Sequence, residues 1–362
     1  MSEPFQPPDG TAAILESVGC TGSFTVEPLS GGANNRVYRV EAEALTAPLV
    51  LKHFFQSPGD TRDRFHAENS FYTYLGKLPA QPRTARALAW SRPHGLGLFS
   101  WIEGRKLTVD VISENSVEQA LQFFIALNPP GQHANWADMS PASEACFSLQ
   151  THLDCVERRV LRLETGLNPR RERSDDEPPI TPLEQEAAAF VAERLRPCFD
   201  QLRDVIRGSG ANLSEELPAA RRCVSPSDFG FHNALSDSAG ALHFFDFEYA
   251  GVDDPAKFFC DFLSQPALPV PHALWRHSYS LLQQALPDLM DAGKIQLLLP
   301  LYQLKWCCIV LNEFLPTGKD RRRFASPSGA RADKQRLQLD KAKRSLAALT
   351  VDFDFLQPVI SE

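Results

Sequence analysis

Arg222-Cys-Val-Ser-Pro-Ser-Asp-Phe-Gly-Phe-His-Asn233, with the run Ala241-Leu-His-Phe-Phe-Asp-Phe-Glu248 after it, decides how the rest of the chain is read. Pro226 and Gly230 rule out a regular helix across the first segment, so a loop presents Asp228 and Asn233 together. Ser236-Asp-Ser-Ala-Gly240 is a turn signal. The aromatic-rich run beyond it reads as a buried strand with Asp246 near its end. Two carboxylates and an amide therefore flank one hairpin.

That set suits phosphoryl transfer, in which metal ions bridge the phosphates and a carboxylate orients and deprotonates the attacking hydroxyl. Mg²⁺ takes hard oxygen ligands, and one Asp, one Asn and the phosphates supply them. In a kinase catalytic loop, four residues separate the base from the metal-binding amide, and a metal-binding Asp follows on the next hairpin. Asp228, Asn233 and Asp246 fit that order. Asp228-Phe-Gly230 also spells the protein-kinase metal motif, but that reading fails. The only upstream Asp-x-x-x-x-Asn, Asp110 to Asn115, lies far too early, and its Asn reads as a helix cap.

Ser227-Asp-Phe-Gly-Phe-His-Asn233, together with Phe245-Asp-Phe-Glu-Tyr-Ala-Gly251, Asp254-Pro255 and Asp261, resembles the aminoglycoside phosphotransferase and choline kinase family of small-molecule kinases. Family members commonly write the loop His-Gly-Asp-Leu-His-x-x-Asn. Here Pro226 takes the first His position and Gly230 the second. The resemblance implies an α+β, bilobal, protein-kinase-like fold: a small N-terminal antiparallel-sheet lobe over residues 1–103 and a larger, mostly helical C-terminal lobe over 104–362. It also implies ATP and Mg²⁺, with Asp228 as catalytic base and Asn233 and Asp246 as metal ligands. Asp261 would brace the catalytic loop through its main chain. The expected activity is transfer of the γ-phosphate to a hydroxyl of a small molecule such as a sugar, aminosugar or amino alcohol. The alternative is a kinase-fold nucleotide-binding or regulatory protein without transfer.

Upstream, Phe24–Leu29 and Val37–Val40 read as strands around the turn Ser30-Gly-Gly-Ala-Asn-Asn35, whose Gly31, Gly32 and Asn34 would lay backbone over phosphates. In Pro48-Leu-Val-Leu-Lys-His-Phe-Phe55, alternation places Lys52 on the face of Val50 and Phe54. A lysine there is costly unless it snorkels or meets an anion. The segment Arg62 to Leu78 supports a helix whose stripe of Phe65, Tyr72 and Leu75 also contains Glu68, an acid that calls for a cation such as Lys52. Ser100-Trp-Ile-Glu-Gly104 resembles the family's interlobe connector, which assigns Ser100, Trp101 and Ile102 to adenine.

Downstream of residue 107 the pattern is helical: Val117 to Leu127, Ser143 to Leu163, Leu183 to Ile206, Lys257 to Leu263, Pro271 to Leu286, Lys294 to Phe314 and Ala332 to Leu349. Tyr302, Trp306, Ile309 and Glu313 share one face, read as core packing rather than an ammonium cage. Glu248, Asp253 and Asp254 are acids that could draw a cationic acceptor. A net charge of -8 argues against nucleic acid as partner, although Lys319 to Arg344 is locally basic. The eight cysteines contain no C-x-x-C pair and read as reduced, mostly buried thiols. No signal peptide is read at the start, and the apolar run Ile295 to Leu311 is broken by Gln296, Pro300, Gln303 and Lys305. The expectation is a cytoplasmic enzyme with a small-molecule hydroxyl substrate and no membrane partner.

Overall fold

The structure, a computed structural model, describes residues 6–29, 35–56, 62–130, 136, 139–168, 179–315, 331–350 and 353–356. In the N-terminal lobe, β1 (Phe24–Leu29), β2 (Arg36–Ala42), β3 (Leu49–His53), β4 (Ala87–Ser91) and β5 (Leu96–Ser100) form an antiparallel sheet in the order β1-β2-β3-β5-β4. Alternation along β3 decides what each face does. Leu49 and Leu51 point one way and join Tyr38, Val40, Leu96 and Leu98 in a small core closed by Ile14 and Leu15 of α1 (Thr11–Glu16). Lys52 and Phe54 point the other way, toward α2 (Arg64–Leu75), where Phe54 meets Phe65 edge-on at 5.5 Å between ring centroids. Asp63 caps α2 by accepting from the His66 backbone N–H at 2.9 Å.

Residues 101–104 lead from β5 to β6 (Arg105–Lys106), which pairs with β8 (Ala234–Ser236), itself paired with β9 (Leu242–Phe244). A Cβ on Gly104 would lie 2.9 Å from the Ser236 carbonyl oxygen, so this close crossing admits only glycine. A second short ribbon pairs β7 (Cys223–Ser225) with β10 (Gly251–Asp253). Asp228 and Asn233 lie between β7 and β8, and Asp246 lies just past β9.

The helical lobe contains α3 (Glu114–Leu127), α4 (Leu149–Leu167), α5 (Pro182–Phe190), α6 (Arg196–Gly208), α7 (Pro255–Ser264), α8 (Trp275–Ala285), α9 (Ala292–Leu311) and α10 (Arg331–Ala347). Helix α9 packs against α4, α7 and α10. By length and composition it could cross a membrane, yet Leu298, Leu299, Leu301, Leu304, Cys307 and Cys308 all lie in the core. A helix that is apolar all round and sheathed by other helices is the central helix of a packed lobe.

Several helix ends differ from the periodicity. Ser148 and Thr151 form a reciprocal capping box, so the expected helix from Ser143 starts instead at Leu149. Ser113 caps α3, and Asn115 lies inside the helix rather than at its cap. The run Leu183 to Ile206 is not one α-helix: Val191–Leu195 form a π turn between α5 and α6. Pro197, at the start of α6, explains the interruption, because it lacks an N–H and its ring clashes with the carbonyl four residues back.

Candidate active site

The loop after β7 is held by its own backbone. Ser225 Oγ accepts from Ser227 N at 3.1 Å, and Asn233 N donates to Gly230 O at 3.1 Å. The Asn233 amide donates to the Asp228 carbonyl at 2.9 Å, while the Asn233 carbonyl accepts from Phe245 N at 3.1 Å. Asn233 thus ties the Asp228 turn to the strand that leads to Asp246. Phe229 and Phe231 are buried and anchor the loop from below. Phe229 stacks on Phe123 of α3 at 5.4 Å. The Asp228 carboxylate remains partly open, with His232 Nε2 at 3.2 Å from its Oδ1.

Ser227 sits at φ 66, in the left-handed region, at the place where the family loop has glycine. A side chain there costs on the order of 1–2 kcal/mol. Ser227→Gly is therefore expected to raise stability by about 1 kcal/mol, less what is lost in chain entropy, read as a higher urea midpoint at unchanged m.

Asp246 also has a left-handed backbone, φ 69, which ends the strand and turns its carboxylate onto the Lys52 ammonium. Lys52 Nζ lies 2.5 Å from Glu68 Oε2 as well. The other Glu68 oxygen accepts from Phe247 N at 3.3 Å, so Glu68 joins sheet, helix α2 and the Asp246 turn. Burial works against the charge on Lys52, but Asp246, Glu68 and Glu248 outweigh it and raise its pKa well above the ordinary lysine value. Burial pushes the Glu68 carboxyl up to about 7, against the pull of Lys52 and with Asp246 and Glu248 adding to the rise.

Two members of this cluster have roles that the sequence alone does not reveal, Asn35 reading only as part of a turn and Glu248 only as an acid for a cationic acceptor. Glu248 is buried, accepts from the Asn35 amide, and faces Arg64 Nε at 3.7 Å. Asn35 in turn accepts from Phe55 N at 3.0 Å, which fastens the start of β2 to the chain just beyond β3. A signal was present: Glu248 stands inside an aromatic run, and an acid buried there needs a donor as much as Glu68 does. Gly31, Gly32 and Asn34 lie outside the described residues. Ser100 ends β5, its hydroxyl accepting from Arg86 N at 2.9 Å. Half-buried Trp101 and Ile102 follow in the crossing between lobes, and Trp101 lies under the Arg39 guanidinium at 5.3 Å.

The donor set fits a hard divalent cation. Asp246 and Asn233 offer oxygens, and the hydrogen bond to the Asp228 carbonyl occupies the amide's donor end, leaving Oδ1 as acceptor. Among the charges gathered here, Glu68, Asp246 and Glu248 outnumber Lys52 and Arg64, so added positive charge would be stabilised.

The acids beyond the hairpin do something else than expected. Asp253 pairs with Lys257 and accepts from Cys146 N at 3.2 Å, and Glu248 is spent as described. Asp261 accepts from Lys305 at 2.7 Å and from the Trp306 indole at 3.0 Å, so its described hydrogen bonds go to α9 and not to the catalytic loop. Asp254 caps α7 through Ala256 N, pairs with Lys294, and accepts from His152 Nε2 at 3.1 Å. Burial lowers the His152 pKa and favours the neutral ring, so with its Nε2 proton on Asp254 the other nitrogen is left to accept from the Tyr302 hydroxyl at 2.6 Å; Tyr302 is core, not a cage wall.

Burial disfavours the Asp254 anion, yet His152 and Lys294 more than offset it and hold its pKa near 2. Since this folded value lies below the unfolded one of 3.8, the carboxylate stabilises the fold above that pH and the contribution vanishes as pH falls toward 2. Asp254→Asn should thus cost about 2 kcal/mol at neutral pH, with the urea-unfolding gap to wild type narrowing below pH 4.

Residues 25–264 match the family profile described as the phosphotransferase enzyme family. The chain belongs to that family. The fold is the protein-kinase-like one of choline kinase from Cryptosporidium parvum Iowa II, at 11% identity and TM-score 0.54 over 94% of this chain and 97% of the other. Ethanolamine kinase from Plasmodium vivax superposes with TM-score 0.53 at 11% identity, over 89% of this chain and 83% of that one. Spectinomycin phosphotransferase, in complex with ADP and spectinomycin, reaches TM-score 0.62 at 9% identity over 96% and 99% of the two chains. No curated protein sequence matches this chain at a significant level.

Proposed function

We propose that this family member is an ATP- and Mg²⁺-dependent kinase of a small molecule bearing a hydroxyl group, with residues 1–103 as its nucleotide-binding lobe and 104–362 as the lobe that carries the acceptor. The observation that carries the reading is the bridge formed by Lys52 between Glu68 on α2 and Asp246 beyond β9, beside the Asn233-fastened loop of Asp228. A buried lysine held by an acid from each lobe is a phosphate-binding group kept in position. Asn233 and Asp246 would hold Mg²⁺, whose charge neutralises the phosphate oxygens when bound. Ser100, Trp101 and Ile102 would meet adenine, and Gly31, Gly32 and Asn34 would, by their sequence, cover the phosphates.

Asp228 accepts the proton of the incoming hydroxyl. The freed oxygen forms the bond to the γ-phosphorus as the bond from that phosphorus to the ADP oxygen breaks, and ADP leaves with the electron pair. Lys52 stays charged throughout, because surrounding carboxylates raise its pKa.

A panel of hydroxyl metabolites incubated with γ-labelled ATP tests this. Labelled product from at least one acceptor, abolished by EDTA, is expected. A protein that binds Mg-nucleotide yet transfers label to no acceptor and forms no ADP would be a binding or regulatory member of the fold instead.

A further inference from the structure

His232 stands in the short helical turn Phe231–Asn233, and its ring folds back over the loop until Nε2 lies 3.2 Å from Asp228 Oδ1. Gly230 makes room for it. The Gly230 backbone, at φ 162, is extended and open to any residue, so strain is not what calls for glycine there. A Cβ at that position would lie 3.1 Å from His232 Nδ1 and 3.4 Å from Cε1, closer than atoms pack at their optimum, so a side chain at 230 and the imidazole compete for one space. Where family members commonly write His in the loop, this chain has the glycine, and an imidazole arrives from two residues later instead.

The Asp228 backbone is held by the Asn233 amide, but its side chain depends on the histidine. Among the described residues, His232 is the only group bonded to the carboxylate; Oδ1 is engaged and Oδ2 has no partner. With 38% of the side chain exposed, little else keeps it from other rotamers. The second ring nitrogen shows which way the hydrogen bond runs. His232 Nδ1 is buried with no hydrogen-bond partner among the described residues, so a proton there would be stranded, and the ring's proton belongs on Nε2, facing Asp228. The same burial shuts Nδ1 off from an incoming alcohol. With one nitrogen donating and the other enclosed, the ring cannot itself take the hydroxyl proton.

We propose that His232 is the positioning residue of the phosphotransfer: its Nε2–H holds Asp228 Oδ1 and thereby turns Oδ2 toward the acceptor hydroxyl. This rests on reading the site as a phosphotransferase site. A pair this exposed adds little to stability, and its value is orientation. A general base must lie within hydrogen-bond reach of the proton it removes, and a misplacement of about 1 Å costs about 10²-fold in rate.

Three substitutions test the geometry. His232→Leu removes the donor, His232→Asn puts an amide where Nδ1 stands, too short to reach Asp228, and His232→Gln carries its amide to the place of Nε2. Rates are read as ADP formed from Mg-ATP with water as acceptor, and again with any alcohol that the labelled panel identifies. The Leu and Asn variants should lose about 10²-fold in kcat, and Gln should return to within about tenfold of wild type, with KM for ATP, AMP-PNP affinity and thermal midpoint near wild type in all three. Added to Asp228→Asn, His232→Leu should cost little more, because the base it positions is already gone. Should the Leu variant fold poorly, the comparison of Asn with Gln carries the test. Wild-type kcat in the Asn variant, a Gln variant no faster than Asn, or an undiminished further loss on top of Asp228→Asn would overturn the positioning role while leaving the phosphotransferase reading intact. That reading fails separately, and takes the positioning role with it, if wild-type protein yields neither ADP nor labelled product.

Discussion

Asp228→Asn is expected to lower turnover by about 10²- to 10⁴-fold, the range for loss of a general base, while leaving AMP-PNP affinity near that of wild type. An amide is nearly isosteric with the carboxylate but takes no proton from a hydroxyl at neutral pH. Nucleotide binding should survive because Asn233 is held by the Asp228 backbone carbonyl and not by its side chain. The His232 contact at 3.2 Å can also be remade to an amide oxygen, so the loop has no reason to reorganise. Single-turnover assays with label and an acceptor identified from the panel give the rate, and calorimetry gives the affinity. Full turnover in the variant would remove Asp228 from the chemistry.

Lys52→Met should be the most damaging change in the N-terminal lobe, and its effect should depend on pH. It removes the cation shared by Glu68 and Asp246 and leaves Glu68, only 2% exposed, facing acids with the Phe247 N–H but no cation to balance its charge. Breaking such a buried pair costs about 3–5 kcal/mol, unless the remaining acid is neutralised. Glu68 has that escape, since its carboxyl stands at about 7 with the lysine present and rises further without it. A carboxyl whose folded pKa exceeds its unfolded value of 4.5 binds a proton more tightly in the folded protein, so the variant loses stability as pH rises. The gap to wild type is therefore expected to be largest near pH 8 and to shrink toward pH 5, followed by urea unfolding. A gap independent of pH would mean that Glu68 does not depend on Lys52. AMP-PNP affinity should fall at every pH, as the phosphates lose their ammonium.

Much of this arrangement was legible because it obeys short-range rules. Lys52 could be assigned to the Val50 and Phe54 face from alternation alone, and Glu68 to the buried stripe of α2 from helical spacing, and each then demanded the other. Asp228, Asn233 and Asp246 were legible as an ordered set because one loop and one hairpin carry all three. What stayed hidden depends on chain segments far apart. Asn35 meets Glu248 across the molecule, Arg159 answers a turn at Glu144, and Asp261 turns to Lys305 and Trp306 on α9; no periodicity couples such positions. The acids Asp253 and Asp254 look available in sequence and are consumed by Lys257, Lys294 and His152 in the folded lobe. The π turn before α6 was missed for another reason: hydrophobic spacing runs on through Pro197, and only the missing N–H reveals the break.

The central claim is that Lys52, Asn233, Asp228 and Asp246 form one phosphotransfer site, and a crystal structure with Mg²⁺ and AMP-PNP tests it most directly. The expected result is metal density between Asn233 Oδ1, the Asp246 carboxylate and the phosphates, with Lys52 Nζ on a phosphate oxygen and the Asp228 carboxylate facing the γ-phosphorus. Nucleotide bound away from Lys52, or metal held without Asp246, would contradict it.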